Sequence, residues 1–94
     1  MTNHLDDVRK NIDQIDRDLV SLLEQRMTFV RQVIAYKQQE RLPILDQERE
    51  LAVLDKVEQL VQQDDYRETI IKTFSDIMRH SRDYQAQQLR AKDL

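Results

Sequence analysis

From Leu5 to Tyr36 the chain runs without a glycine or a proline, and its apolar residues recur at alternating intervals of three and four. Written as heptads, the a and d sites are Leu5, Val8, Ile12, Ile15, Leu19, Leu22, Arg26, Phe29, Val33 and Tyr36. That spacing marks a long helix buried along one stripe. One site in the stripe is an arginine, and a guanidinium there is costly unless an anion meets it. The seam therefore requires a long packing partner and something negative near its middle.

The helix is expected from about Asn3 to about Gln39, with Asn3 as N-cap and Asp6 and Asp7 favourable in the first turn. Its length is then roughly 50 Å, against about 30 Å for the diameter of a small domain. Much of the seam of a lone chain would face water, so self-association is the natural solution. In the connector Glu40 to Leu45, Pro43 pushes Leu42 out of helical geometry. A second helix is expected to start at Asp46 as N-cap and to carry Leu51, Leu54, Val57, Leu60 and Val61 inward. After the polar run from Gln62 to Asp65, Asp65 and Glu68 have the form of a capping box for a third helix. That helix should bury Ile70, Phe74, Ile77 and Met78, and its stripe continues through Ser81, Gln85 and Gln88. A frayed tail is expected from Arg90 to Leu94.

Composition supports an all-α single domain spanning residues 1–94. Among 94 residues there is no glycine and one proline, so hairpins and barrels lack their turn residues. No cysteine is present, which removes disulfides and thiolate zinc sites and fits a reducing compartment. The N-terminus has no apolar signal core and no stretch is long enough to span a bilayer, so a cytoplasmic protein without membrane contact is expected. The net charge of −3, with signs interspersed, argues against nucleic acid as the main partner. Basic residues that converge in such a chain point instead to a small anion.

Arg26 and Lys37 are eleven residues apart, within roughly 20° of each other around a helix and three turns along it. Arg9 lies seventeen residues before Arg26, about 25 Å away, so one rigid helix cannot bring Arg9 and Lys37 to one small ligand. Two antiparallel copies could. Taken singly, these residues have plain readings. Arg9 and Lys37 suit the solvated edge of a seam, and Arg26 could snorkel or pair with a glutamate. Asp46 suits a helix cap, Arg49 and Glu50 a surface pair, and Ser81 and Gln85 a loosely packed, hydrated end of the core. His4 and His80 have no metal-ligand spacing and read as surface residues, and Met27 and Met78 as core filler.

Taken together, they resemble a known family. Arg9 in DDVRKNIDQID, Arg26 in LLEQRM, Lys37 in IAYK, the Asp-x-x-Arg-Glu run of Asp46, Arg49 and Glu50 in ILDQERE, and Ser81 and Gln85 in RHSRDYQ follow one ordered pattern. It is the pattern of the all-helical chorismate mutases, whose minimal form is an intertwined homodimer of three-helix chains. The resemblance covers nearly the whole sequence. It implies the rearrangement of chorismate to prephenate, a step of aromatic amino acid biosynthesis, with no cofactor and no metal. It also implies that Arg9 reaches the site from the opposite chain. Arg9 and Arg26 would bind the two carboxylates with help from Ser81, and Lys37 and Gln85 would face the ether oxygen. Arg49 would order the site and bind a carboxylate, while Asp46 and Glu50 would hold the C4 hydroxyl.

Three other readings stay open from the residues. An isochorismate-pyruvate lyase has a similar cationic site, but such lyases lack the Asp-x-x-Arg-Glu run. An aminodeoxychorismate mutase would set Glu50 against an ammonium. A catalytically silent helical dimerisation module explains the seam but not the ordered cations.

Overall fold

The structure, a computed structural model, describes residues 3–92 and consists of three helices. They are α1 (His4–Glu40), α2 (Gln47–Leu60) and α3 (Asp64–Lys92), and no strand occurs among the described residues. Helix α1 starts where the sequence indicates: the Asn3 side-chain oxygen accepts from the Leu5 N–H at 2.7 Å, and Asp6 and Asp7 occupy the first turn. It ends at Arg41 in the left-handed region (φ 56°, ψ 42°), with the Leu42 N–H donating to the Lys37 carbonyl at 2.8 Å. This is the usual way to close off the last carbonyls of a helix, here with an arginine where glycine is favoured. Helix α2 is capped by Asp46, whose Oδ1 accepts from the Arg49 N–H at 3.0 Å.

Helix α3 packs against both α1 and α2. The buried residues are few: Val30 and Ile34 on α1, Val57 on α2, and Met78, Ser81 and Gln85 on α3. Val30 and Ile34 lie off the heptad seam. The chain therefore uses a short second face of α1 for its own packing and leaves the seam uncovered. Leu5, Ile12, Leu19, Leu22, Phe29 and Tyr36 are all exposed.

The overall dimensions make the same point. The radius of gyration is 17.1 Å and the long dimension 58 Å, whereas a compact domain of this length has a radius near about 12 Å. The accessible surface, 8176 Å², exceeds by about 2,400 Å² what a compact monomer of this mass exposes. Such an excess is on the scale of a chain's share of an obligate interface. No helix of the described residues is long and apolar enough to cross a membrane.

Three expectations need correction. Leu51 and Leu60 do not turn inward within the chain: they are 60% and 67% exposed, because α2 meets only α3 and buries the face carrying Val57. The third helix begins at Asp64, so Asp65 sits inside its first turn rather than capping it. The turn is held instead by Arg67, whose guanidinium donates to the carbonyls of Glu58 (3.1 Å) and Val61 (2.7 Å) and pairs with Asp64, while Glu68 pairs with Lys72. Arg90 to Lys92 continue α3 rather than fraying, and the rest of that expected tail, Asp93 and Leu94, lies outside the described residues.

Candidate active site

A cleft of about 270 Å³ opens between the C-terminal half of α1, the start of α2 and the middle of α3. Of the eight residues singled out in the sequence, seven line it: Arg26, Lys37, Asp46, Arg49, Glu50, Ser81 and Gln85. Arg9 does not, because it lies on the uncovered half of α1, about 25 Å along the helix from Arg26. The cleft is small for a ligand pocket and open on one side. Its apolar walls are Phe29, Val30, Val33, Ile44, Val53 and Met78.

Local structure explains each position. Arg26, Val30 and Lys37 follow one another at four- and seven-residue steps, so they share a face of α1. Val30 is buried, and this carries Lys37, two turns on, into a half-buried place beside α3. The Lys37 ammonium donates to the Ile44 carbonyl at 2.5 Å and to Gln85 Oε1 at 3.1 Å. Its backbone carbonyl receives the Leu42 N–H, so this residue fixes the connector by both its main chain and its side chain. An ammonium has three N–H donors. Two are engaged, and the third has no acceptor among the described residues.

Gln85 is 6% exposed and held at both ends of its amide: the carbonyl accepts from Lys37 and the NH2 donates to Ser81 Oγ at 3.2 Å. The second hydrogen of that NH2 has no acceptor among the described residues. Ser81 and Gln85 are thus buried and bonded to each other, rather than forming the hydrated core end that their plain reading suggested. Asp46 both caps α2 and lines the cleft, which leaves its second carboxylate oxygen free of the cap.

Sequence reasoning missed Arg82, which lines the cleft and donates from Nη1 to Glu50 Oε1. Glu50 therefore pairs across helices with Arg82, not with its neighbour Arg49. The available signal was weak: Arg82 follows buried Met78 by four residues and so flanks the inner stripe of α3. Gln88, whose place the sequence left open, lines a different groove with Arg31 and Tyr84.

The charges of the cleft are unbalanced. Arg26, Lys37, Arg49 and Arg82 oppose Asp46 and Glu50, an excess of two positive charges. The guanidinium groups of Arg26 and Arg49 have no hydrogen-bond or ion-pair partner among the described residues, so the glutamate partner considered for Arg26 is not found. Neither does the guanidinium of Arg9. Guanidinium forks bind planar carboxylates in bidentate fashion. A small dianion with a polar centre between its carboxylates matches such a site. Among the described residues no three His, Asp or Glu side chains converge as metal ligands do.

Comparison with known proteins points to one family. The family described as chorismate mutase type II matches residues 8–86, a span that includes every residue considered above for the cleft and Arg9. A chorismate mutase of Methanocaldococcus jannaschii is 33% identical over 90 residues, covering 95% of this chain and 91% of that protein. The T-protein of Haemophilus influenzae is 46% identical over 50 residues, covering 53% of this chain but 13% of its own length. No solved structure matches. The chain belongs to the type II chorismate mutase family, and isomerase activity goes with that membership.

Proposed function

We propose that the chain catalyses the rearrangement of chorismate to prephenate, and does so as an intertwined homodimer whose cleft is completed by Arg9 of the partner subunit. The supporting observation is a held ammonium that shares one cleft with two guanidinium groups unpaired among the described residues: Lys37 is fixed by Ile44 and Gln85, and Arg26 and Arg49 stand open to an anion. The family and the M. jannaschii relative supply the reaction class.

The reaction breaks an ether C–O bond as a C–C bond forms within one molecule, so no nucleophile or external proton is required. The protein has to hold the flexible side chain over the ring, a positional restriction that removes conformational freedom before the reaction. Arg26 and Arg9 of the partner subunit would take one carboxylate each, with Ser81 assisting, and Arg49 would order the site. Negative charge grows on the ether oxygen in the transition state. The third N–H of Lys37 and the second amide hydrogen of Gln85 are the donors for it. Because both groups are already tethered, they need little reorganisation, and such a donor is worth about 3–4 kcal/mol. Asp46 and Glu50 would accept from the ring hydroxyl, and this pair favours the mutase over the lyase reading.

The bare seam and the excess surface support the dimer, and antiparallel pairing of two α1 helices would bring Arg9 to the other chain's cleft. The cysteine-free composition supports a cytoplasmic setting. The test is to follow near-ultraviolet loss of chorismate, identify prephenate by acid conversion to phenylpyruvate, and run isochorismate in parallel. Prephenate from chorismate is expected. Pyruvate from isochorismate without prephenate from chorismate would assign the lyase reaction, and inertness towards both would leave the aminodeoxychorismate mutase and the silent dimerisation module.

A further inference from the structure

We infer that the Glu50–Arg82 pair selects against substrates that carry a positive charge at ring position C4, making Arg82 a specificity-determining positioning residue. The inference rests on the rearrangement proposed above. Arg82 donates to Glu50 Oε1 from α3 to α2, whereas the other ion pairs among the described residues join positions three or four apart on one helix. Both side chains are partly buried, 31% exposed for Arg82 and 21% for Glu50, and both line the cleft.

The consequence follows from what each ring substituent needs. A hydroxyl needs one lone pair, and a carboxylate offers about four. With Oε1 given to Arg82, Oε2 of Glu50 still accepts from a hydroxyl. An ammonium needs uncompensated negative charge, and here the charge of Glu50 is already matched by a guanidinium. That guanidinium also stands across one carboxylate from the incoming cation. Two like charges about 5–6 Å apart at an effective dielectric near 20 cost on the order of a hundredfold in affinity, and about tenfold once solvent access to the pair is allowed for. Arg82 has a second effect on the same balance: without it, Glu50 would present a bare negative charge to a dianionic substrate.

A simple interhelical staple would behave differently, since its loss would lower stability and turnover of every substrate alike. The experiment compares kcat/KM for chorismate and for 4-amino-4-deoxychorismate in the unsubstituted dimer, Arg82→Met and Arg82→Lys. Methionine keeps the unbranched stem without the charge, and lysine keeps the charge. Arg82→Met should raise the amino-to-hydroxyl ratio by about tenfold or more, chiefly through KM, and Arg82→Lys should hold it within about threefold of the parent. An amino-to-hydroxyl ratio within about threefold of the parent in Arg82→Met, whatever its absolute turnover, overturns the inference. Lack of chorismate turnover by the parent overturns the rearrangement reading itself, and this inference with it.

Discussion

Replacing Lys37 by alanine removes the one cation in the cleft that already has two fixed contacts. In the proposed transition state its third N–H faces the ether oxygen. A preorganised donor of that kind is worth about 3–4 kcal/mol, and each 1.36 kcal/mol is tenfold, so kcat should fall by roughly 150- to 900-fold. Stability should fall as well, because the substitution removes the partners of the Ile44 carbonyl and of Gln85 Oε1. A deserted acceptor costs about 1–3 kcal/mol when fully buried. Lys37 is only half-buried and water can replace part of what is lost, so the lower end of that range applies. The assay pairs chorismate consumption under saturating substrate with circular dichroism and the mass of the assembly. Native helicity, native mass and a kcat within about threefold of the parent would refute the reasoning, since a fixed donor at the reacting oxygen cannot be dispensable.

Three further outcomes follow from the same geometry. Gln85→Glu should convert a broad pH dependence into one that rises towards acid: only the protonated carboxyl can donate, so activity is present below its pKa and lost above it, and an unshifted profile would place position 85 away from the developing charge. Ile15→Asp, at an exposed seam position far from the cleft, should abolish the dimer, because it puts an unpaired carboxylate in each copy of an apolar interface; sedimentation equilibrium showing the native mass would contradict the pairing of seams. Arg41→Gly should stabilise the protein by about 0.5–1 kcal/mol, since a non-glycine residue in the left-handed region is strained there, and a lowered melting temperature would show that the arginine side chain matters more than its backbone.

Local signals carried most of the fold. The Asn3 cap, the break at Pro43 and the Asp46 cap are decided by a few adjacent atoms, and each is found where the residues indicate. The start of α3 falls one residue before the cap pattern that Asp65 and Glu68 satisfy, because the turn is governed by Arg67 reaching back to the carbonyls of Glu58 and Val61. The heptad register was legible for a related reason, and a seam longer than the domain is expected to face water in a lone chain. It identifies the longest apolar stripe, and here that stripe is left bare, while Val30 and Ile34 make too short a stripe to stand out.

In the cleft, Lys37 and Gln85 are 48 residues apart and Glu50 and Arg82 are 32 apart. Ordered motif spacing located three of these four, because the family pattern contains them. Arg82 belongs to no motif, and a contact between two helices leaves no trace in one sequence. Arg9 is the opposite case. Its spacing from Arg26 already rules out a shared site within one chain, so a single chain leaves it without a role.

The central claim is that two chains share each cleft, and mixing variants tests it most directly. Arg9→Ala chains and Lys37→Ala chains, each inactive alone, are unfolded together in equal amounts and refolded. Random pairing gives half heterodimers, each with one intact and one doubly damaged site, so about a quarter of parental activity should return. Mixtures that contain heterodimers but stay inactive would contradict a cleft built from both chains.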